Sequence, residues 1–180
     1  EMEVKVQRGG KVWMQQYKRG KPQADVKAIG ATEDHGTTVT FKADTQIFGE
    51  GLLSFDTVSN RLRELAFLNP GCRITIIDER GEGKKHTFFF EGGIKQFVKF
   101  LNTNKQVIND EPIFVSKTEG DTMLDLAIQY NTDYSETMFS FVNNIKTTEG
   151  GTHVSGFRSS LTRVINDYIK KYALTKEAEY

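Results

Sequence analysis

The chain opens with a stretch in which apolar and polar residues alternate. This pattern covers residues 1–7 and is typical of a strand with one buried face. Gly9-Gly10 favours a tight turn, after which residues 12–17 are expected to run back as the second strand of a hairpin. Residues 25–29 predict a short strand. Residues 36–41, rich in threonine with Val39 and Phe41, predict a stronger one.

Three later segments carry apolar residues at steps of three and four, the spacing of an amphipathic helix. The first runs from Asp56, a possible N-cap, to about Leu68, where Asn69-Pro70-Gly71 ends it. The second follows Gly92-Gly93, and the third covers residues 152–172. Burying five or six apolar side chains of the third would contribute roughly 8–18 kcal/mol before entropy is subtracted. We therefore expect that helix to pack against a sheet.

Further strands are predicted between these helices, at residues 73–78, 85–90, 112–115, 123–130 and 136–142. The first two form an antiparallel hairpin across a glycine-rich turn. Blocks of strands separated by helices, with antiparallel hairpins, indicate an α+β fold. A loop over residues 49–54 suggests a domain boundary at about residue 47.

Composition narrows the possible functions. The 24 Lys and Arg balance the 24 Asp and Glu, so a DNA-facing surface would have to be a local patch. The single Cys72 excludes an internal disulfide and a cysteine zinc site, and as a small buried hydrophobe it fits a reducing cytoplasm. No apolar run reaches the ~18 residues of a membrane span, and no signal peptide is apparent. We expect a cytoplasmic protein without membrane contact.

Three residues of the first region are candidates for ligand binding. Thr37 and Val39 fall on the same face of their predicted strand. A hydroxyl beside an apolar side chain can orient a ligand in an apolar pocket, although both residue types are also simply good strand formers. Arg8 precedes the first turn, where a guanidinium can stack on a planar group or remain solvated.

The third helix offers two further candidate features. Its first backbone N–H groups could hold an anion, but Thr152 as N-cap with His153 in the first turn is the simpler interpretation. His153 has no metal-ligand spacing with His35 or His86, which argues against a zinc site.

The polar side of the same helix is basic. Arg158 and Arg163 lie there, with Lys170 and Lys171 further on. A sequence-independent phosphate contact needs only a positioned cation, and a solvated helix face has the same composition.

Four motifs, in this order, resemble the B subunits of bacterial DNA gyrase, which are parts of ATP-dependent type II topoisomerases. They are GTTVTFKAD at 36–44, RLRELAFLNPG at 61–71, EGGIKQFVKFLN at 91–102 and EGGTHVSGFRSSLTRVINDY at 149–168. The resemblance implies an α+β chain with two parts. Residues 1–47 would be the C-terminal strands of a GHKL ATPase sheet. Residues 48–180 would be a transducer domain, a ribosomal-protein-like α/β sandwich that ends before the family's Gln-Thr-Lys loop.

The resemblance also assigns roles to individual residues. It implies that Thr37 and Val39 line the adenine pocket, and that Arg8 flanks its mouth, where aminocoumarin inhibitors also bind. It implies that Arg158 faces the cavity between the two arms of a B-subunit dimer, through which the transported DNA passes.

The same resemblance implies ATP and Mg²⁺ as cofactors of the intact subunit, and DNA, the gyrase A subunit and a second B subunit as partners. The intact subunit would couple ATP binding and hydrolysis to DNA strand passage and supercoiling. The family's general base, magnesium ligand and phosphate lid would lie upstream. We therefore expect no catalytic residue in this chain, and no nucleotide or metal bound to it in isolation.

Two alternatives remain open from the sequence. The ATPase subunit of topoisomerase IV shares these motifs, although Gly156-Phe157-Arg158 leans towards gyrase. A free-standing nucleic-acid-binding module of similar fold is the second alternative. The strands of residues 1–41 argue against it, because such a module has no use for part of an ATPase sheet.

Overall fold

In the computed structural model, which describes residues 1–49 and 53–174, the chain divides into two units, Glu1–Thr57 and Val58–Tyr180. The domain boundary at about residue 47 stays a prediction. Part of the predicted loop, residues 50–52, lies outside the described residues.

The first unit is an antiparallel sheet followed by one helical turn. Its elements are β1 (Met2–Arg8), β2 (Lys11–Lys18), β3 (Lys21–Pro22), β4 (Lys27–Ala31), β5 (Gly36–Phe41) and α1 (Thr45–Phe48). β1 lies between β2 and β5, and both β3 and β4 pair with β2. The predicted hairpin and the strand 36–41 are confirmed, and the strand predicted at 25–29 is displaced by two residues.

The second unit alternates helices with hairpins. Its elements are α2 (Phe55–Leu68, which includes the division between the units), β6 (Ile74–Asp78), β7 (Lys84–Phe88), α3 (Gly93–Leu101), β8 (Ile113–Glu119), β9 (Thr122–Ile128), β10 (Phe141–Val142), β11 (Ile145–Lys146) and α4 (Thr152–Tyr172). The strands described here form three separate antiparallel pairs. The α+β class is confirmed.

Aromatic side chains make up most of the core of the second unit. Phe67, at the end of α2, is only 1% exposed. Its ring stacks on Phe90, with centroids 3.6 Å apart, and on Phe97 of α3 at 4.9 Å. Buried Ser59 shares a 2.8 Å hydrogen bond with Nδ1 of His86, which satisfies its hydroxyl. α2, α3 and the hairpin β6–β7 are therefore fixed around one cluster.

A polar bridge joins α2 to the hairpin β10–β11. Nη2 of Arg61 donates to the backbone carbonyl of Asn144 at 2.6 Å. Nδ2 of Asn144 donates to Oδ1 of Asn69 at 3.0 Å, and Arg61 also pairs with Glu64 at 2.8 Å. The Asn143-Asn144 turn is thus held through both the backbone carbonyl and the side chain of Asn144.

The predicted N-caps of two helices are wrong by one or two residues. Ser54, rather than Asp56, caps α2, since its hydroxyl accepts from the amide of Thr57 at 3.3 Å, and Asp56 lies in the first turn. α4 is capped by Gly151 without a side-chain bond, and Thr152 is its first helical residue.

The strand predicted at 136–142 is wrong except for its last two residues. Asn143 and Asn144 have φ values of 49° and 65°, the left-handed pair of a two-residue hairpin turn. The chain therefore reverses after Val142 and pairs Phe141 with Lys146.

Two burial expectations are also wrong. No described residue of α4 is buried, and Val164 and Tyr168 are 60% and 56% exposed. The described strands of this unit form two-stranded pairs, so they offer the helix no broad sheet to pack on. Cys72 is exposed rather than buried, since it follows the turn that ends α2. Among the described helices, none has the length and apolar character needed to cross a membrane.

Candidate functional site

One face of the first sheet gathers the three residues predicted to bind a ligand. In the antiparallel register of β1 and β5, Val6 lies opposite Thr37 and Val4 opposite Val39. Thr37 and Val39 therefore lie on the face that carries the two valines. Arg8 follows Val6 by two residues and lies on it too. Diagonal neighbours in such a ladder have Cα atoms about 7–8 Å apart, so Arg8 and Thr37 are within side-chain reach.

Two side chains of β2 extend this face and were missed from the sequence. Trp13 and Gln15 lie opposite the valines of β1, and Gln15 accepts from the hydroxyl of Tyr17 at 2.6 Å. Trp13 is 37% and Val39 52% exposed. The register of the hairpin, which the Gly-Gly turn fixes, could have identified both. The face thus presents a hydroxyl, apolar walls, an indole and a guanidinium, a set suited to a planar ligand with polar edges.

The glycine pair ahead of α4 adopts backbone angles that other residues avoid. Gly150 and Gly151 have φ values of 77° and 148°. A Cβ added at Gly151 would lie 2.9 Å from the ring of His153. Nε2 of His153 in turn lies 3.1 Å from Oγ1 of Thr147. His153 is thus a first-turn residue, as predicted, that contacts the segment before the helix. Among the described residues no group of three His, Cys, Asp or Glu could hold a metal ion.

The polar side of α4 presents a shallow, open strip of surface, which we call the groove. All of its lining residues lie on α4 itself: Arg158, Ser159, Thr162, Arg163, Asn166, Asp167 and Lys170. At 1.5 Å per residue, the first and last of these are about 18 Å apart along the axis. The predicted basic face is therefore a continuous row, with Thr162 and Asn166 offering hydrogen-bonding groups between the cations.

Arg158 does not project freely from this row. Its guanidinium forms two hydrogen bonds with the carboxylate of Glu136, one from Nη1 to Oε2 at 3.1 Å and one from Nη2 to Oε1. Nη2 also lies 3.7 Å from Sδ of Met138. The side chains of Arg158 and Glu136 are 54% and 55% exposed. Sequence reasoning missed Glu136, because it lies in an irregular segment with no periodic relation to α4.

Among the described residues, the largest pKa shifts of carboxyl groups lie outside both candidate sites. Lys99 and then Lys95, on α3, lower the pKa of Glu111 to about 2 through direct hydrogen bonds. Arg80 lowers the pKa of Asp78 to about 2 in the same way. The lysines hold the loop ahead of β8 against α3, and the Arg80–Asp78 pair lies at the β6–β7 hairpin turn.

Comparison with known proteins gives one consistent family. The family model described as DNA gyrase B matches residues 93–180. The DNA gyrase B subunit of Clostridium acetobutylicum is 49% identical over 176 residues, which is 97% of this chain and 28% of that protein. The corresponding protein of Bacillus mycoides is 47% identical over 180 residues, 99% of this chain and 45% of that protein.

Solved structures agree with the sequence relatives. The 43K ATPase domain of Thermus thermophilus gyrase B, in complex with an aminocoumarin, superposes with a TM-score of 0.80 at 31% identity. The match covers 99% of this chain and 49% of that one. The B subunit of Myxococcus xanthus DNA gyrase gives a TM-score of 0.75 at 28% identity, covering 89% and 47% of the two chains. The chain thus spans less than half the length of these relatives.

Proposed function

Because the chain belongs to the DNA gyrase B family, we propose that it forms part of the B subunit of an ATP-dependent type II DNA topoisomerase. In that subunit it helps to couple ATP binding and hydrolysis to DNA strand passage and supercoiling. Its partners are DNA, the gyrase A subunit and a second B subunit. The observation that carries this proposal is the basic groove along α4, with Arg158 at one end and Lys170 at the other.

The face of the first sheet is proposed as the adenine side of the nucleotide pocket. Thr37 supplies a hydroxyl that orients the base, Val39 an apolar wall, and Arg8 a cation at the edge. This set suits a nucleotide base but not Mg²⁺, which prefers carboxylate and phosphate oxygens. ATP and Mg²⁺ supply the phosphoryl chemistry in the intact subunit, and this face contributes binding and orientation.

The groove of α4 is proposed as the DNA-facing surface. Its cations are spread over about 18 Å of helix, so they can follow several phosphates along a DNA strand. Contacts of this kind fix the position of DNA without reading its sequence. Sequence-independent contact is what strand passage requires, since any segment must be able to pass.

The second unit is proposed to transmit motion rather than to perform chemistry. α2, α3 and the hairpin β6–β7 share the Phe67 cluster, and Arg61 ties α2 to the turn before α4. A tightly packed unit moves as a rigid body, because its interior does not absorb displacement. A shift of α2 would therefore carry the turn at Asn144 with it.

The experiment is Arg158→Gln in the full-length subunit assembled with the A subunit. We expect DNA-stimulated ATP turnover to fall by more than turnover without DNA. We also expect the log–log salt slope of DNA binding to flatten by about 0.9, the effect of losing one phosphate contact. Lys171→Gln is the matched control, because Lys171 is also an exposed cation of α4 but does not line the groove. Unchanged DNA stimulation in the Arg158 variant would contradict the proposed role.

A further inference from the structure

The pairing of Arg158 distinguishes it from the other cations of its groove. Among the described residues, Arg163 and Lys170 form no ion pair, whereas the guanidinium of Arg158 holds a carboxylate through two of its nitrogens. That carboxylate belongs to Glu136, 22 residues earlier in the chain. Arg158 is the groove cation that the family motif identifies. Among the described residues it is also the groove cation that has a partner within the chain.

We propose that Glu136 is a built-in competitor for DNA at Arg158. It occupies the Nη1–Nη2 edge of the guanidinium, so a phosphate that binds this edge has to displace it. Glu136 is therefore a positioning residue that acts through Arg158 and sets how tightly the groove holds DNA. This inference rests on the proposed function, in which Arg158 faces DNA.

The chemistry of the pair supports exchange. A guanidinium presents its N–H groups as a planar fork that accepts a carboxylate or a phosphate in the same two-point geometry. Glu136 uses Nη1 and Nη2, so a phosphate that approaches this edge of the guanidinium finds both donors engaged. The two ligands cannot occupy the same pair of N–H groups together.

The exposure of the pair keeps the exchange reversible. Both side chains are more than half exposed, and ion pairs in that setting contribute little to stability. Glu136 can therefore leave Arg158 without disturbing the fold. A buried partner would have locked the arginine, and a missing partner would have left it always available.

The competitor also lowers the positive charge of the groove. Arg158, Arg163 and Lys170 are opposed there by Asp167 and, beside Arg158, by Glu136. Weaker retention suits a surface past which DNA must move, because a segment that is held too tightly is not released.

The test is a double-mutant cycle of Glu136→Gln and Arg158→Gln in the full-length subunit assembled with the A subunit. The readout is the concentration of linear duplex DNA that gives half-maximal stimulation of ATP turnover. We expect Glu136→Gln to lower it by about two- to fivefold, the scale of an exposed ion pair. In the Arg158→Gln background the same change should have little effect. The gain should also shrink as salt is added, because surface electrostatics are screened.

Asp167→Asn is the matched control. It removes a negative charge from the same groove, but Asp167 forms no ion pair with Arg158 in the described structure. Its effect should therefore be equal in the two backgrounds. Equal effects of Glu136→Gln in both backgrounds, or weaker DNA stimulation in the single variant, would overturn the competitor role while leaving DNA contact by Arg158 intact. If Arg158→Gln alone changes nothing, the proposed function itself fails.

Discussion

Replacement of Phe67 by alanine tests whether one aromatic cluster holds the second unit together. Phe67 is 1% exposed and lies within stacking distance of Phe90 and Phe97. Truncating a phenylalanine at such a site removes its transfer free energy and leaves a cavity, at a cost of about 3–5 kcal/mol. Since each 1.4 kcal/mol is a factor of ten, the open form of the cluster should become roughly two to nearly four orders of magnitude more populated.

Hydrogen exchange measured by mass spectrometry in the full-length subunit is the suitable assay. Peptides that cover α3 report on the cluster, because Phe97 of α3 packs directly on Phe67. Their amides should exchange faster by the factor given above, and peptides from β1 and β2 in the first unit should change little. A local readout is preferable to a melting temperature, since a chain with more than one unit need not unfold in a single step.

Phe100→Ala is the matched control. Phe100 also contacts Phe67, at 5.6 Å between centroids, but is 44% exposed. Because Phe100 is about half exposed, its truncation should lose only about half of the transfer free energy of a buried side chain, roughly 1–1.5 kcal/mol. Exchange of the α3 amides should therefore accelerate only about tenfold. If the Phe67 variant accelerates exchange of α3 by no more than the Phe100 variant does, Phe67 does not organise the cluster and the reasoning is refuted.

Two further predictions concern the start of α4 and a surface ion cluster. Gly151→Ala should destabilise the first turn of α4 by about 1–3 kcal/mol, because φ 148° is disfavoured for alanine; Gly156→Ala, inside the helix with open space around it, should instead stabilise by up to about 1 kcal/mol. Exchange of the α4 amides checks both, and an equal effect of the two changes would contradict the backbone explanation. Glu111→Gln should reduce the protection of the α3 amides against hydrogen exchange at neutral pH, since Lys99 and Lys95 of α3 depress the pKa of this carboxyl to about 2 in the folded state. A carboxyl whose pKa is depressed on folding stabilises the fold at pH values above its ordinary pKa of 4.5, and this stabilisation is lost as the pH falls towards 2. The difference in protection between the variant and wild type should therefore shrink between pH 4.5 and pH 2. A difference that stays constant with pH would rule out the ion pairs as its cause.

Local periodicity predicted most of the elements, because the apolar repeat of a strand (2 residues) and that of a helix (3.6 residues) are both visible within ten residues. It failed at residues 136–142, a segment rich in apolar residues that was predicted to be a strand. Such a composition cannot show whether a partner strand exists, and the left-handed Asn143-Asn144 pair reverses the chain at once. The exposure of α4 was equally invisible, since a helix pattern states which side is apolar but not what covers it.

The sequence predicted the composition of the first candidate site better than that of the second. Thr37, Val39 and Arg8 share a face because strand period and hairpin register are local properties. The pairing of Arg158 with Glu136 arises instead from where an irregular segment comes to lie. No repeat or spacing in the sequence encodes that contact.

The bond from Arg61 to Asn144 has a consequence for synthesis of the protein. The two residues are 83 positions apart, so at typical translation rates of roughly 5–20 residues per second the arginine waits about 4–17 seconds before its acceptor is made. Glu64, only three positions away, can hold the guanidinium in the meantime, because their ion pair needs nothing beyond the nascent helix. When a ribosome stalls between the two positions, Arg61 would therefore be directed to the local glutamate wherever the nascent helix forms.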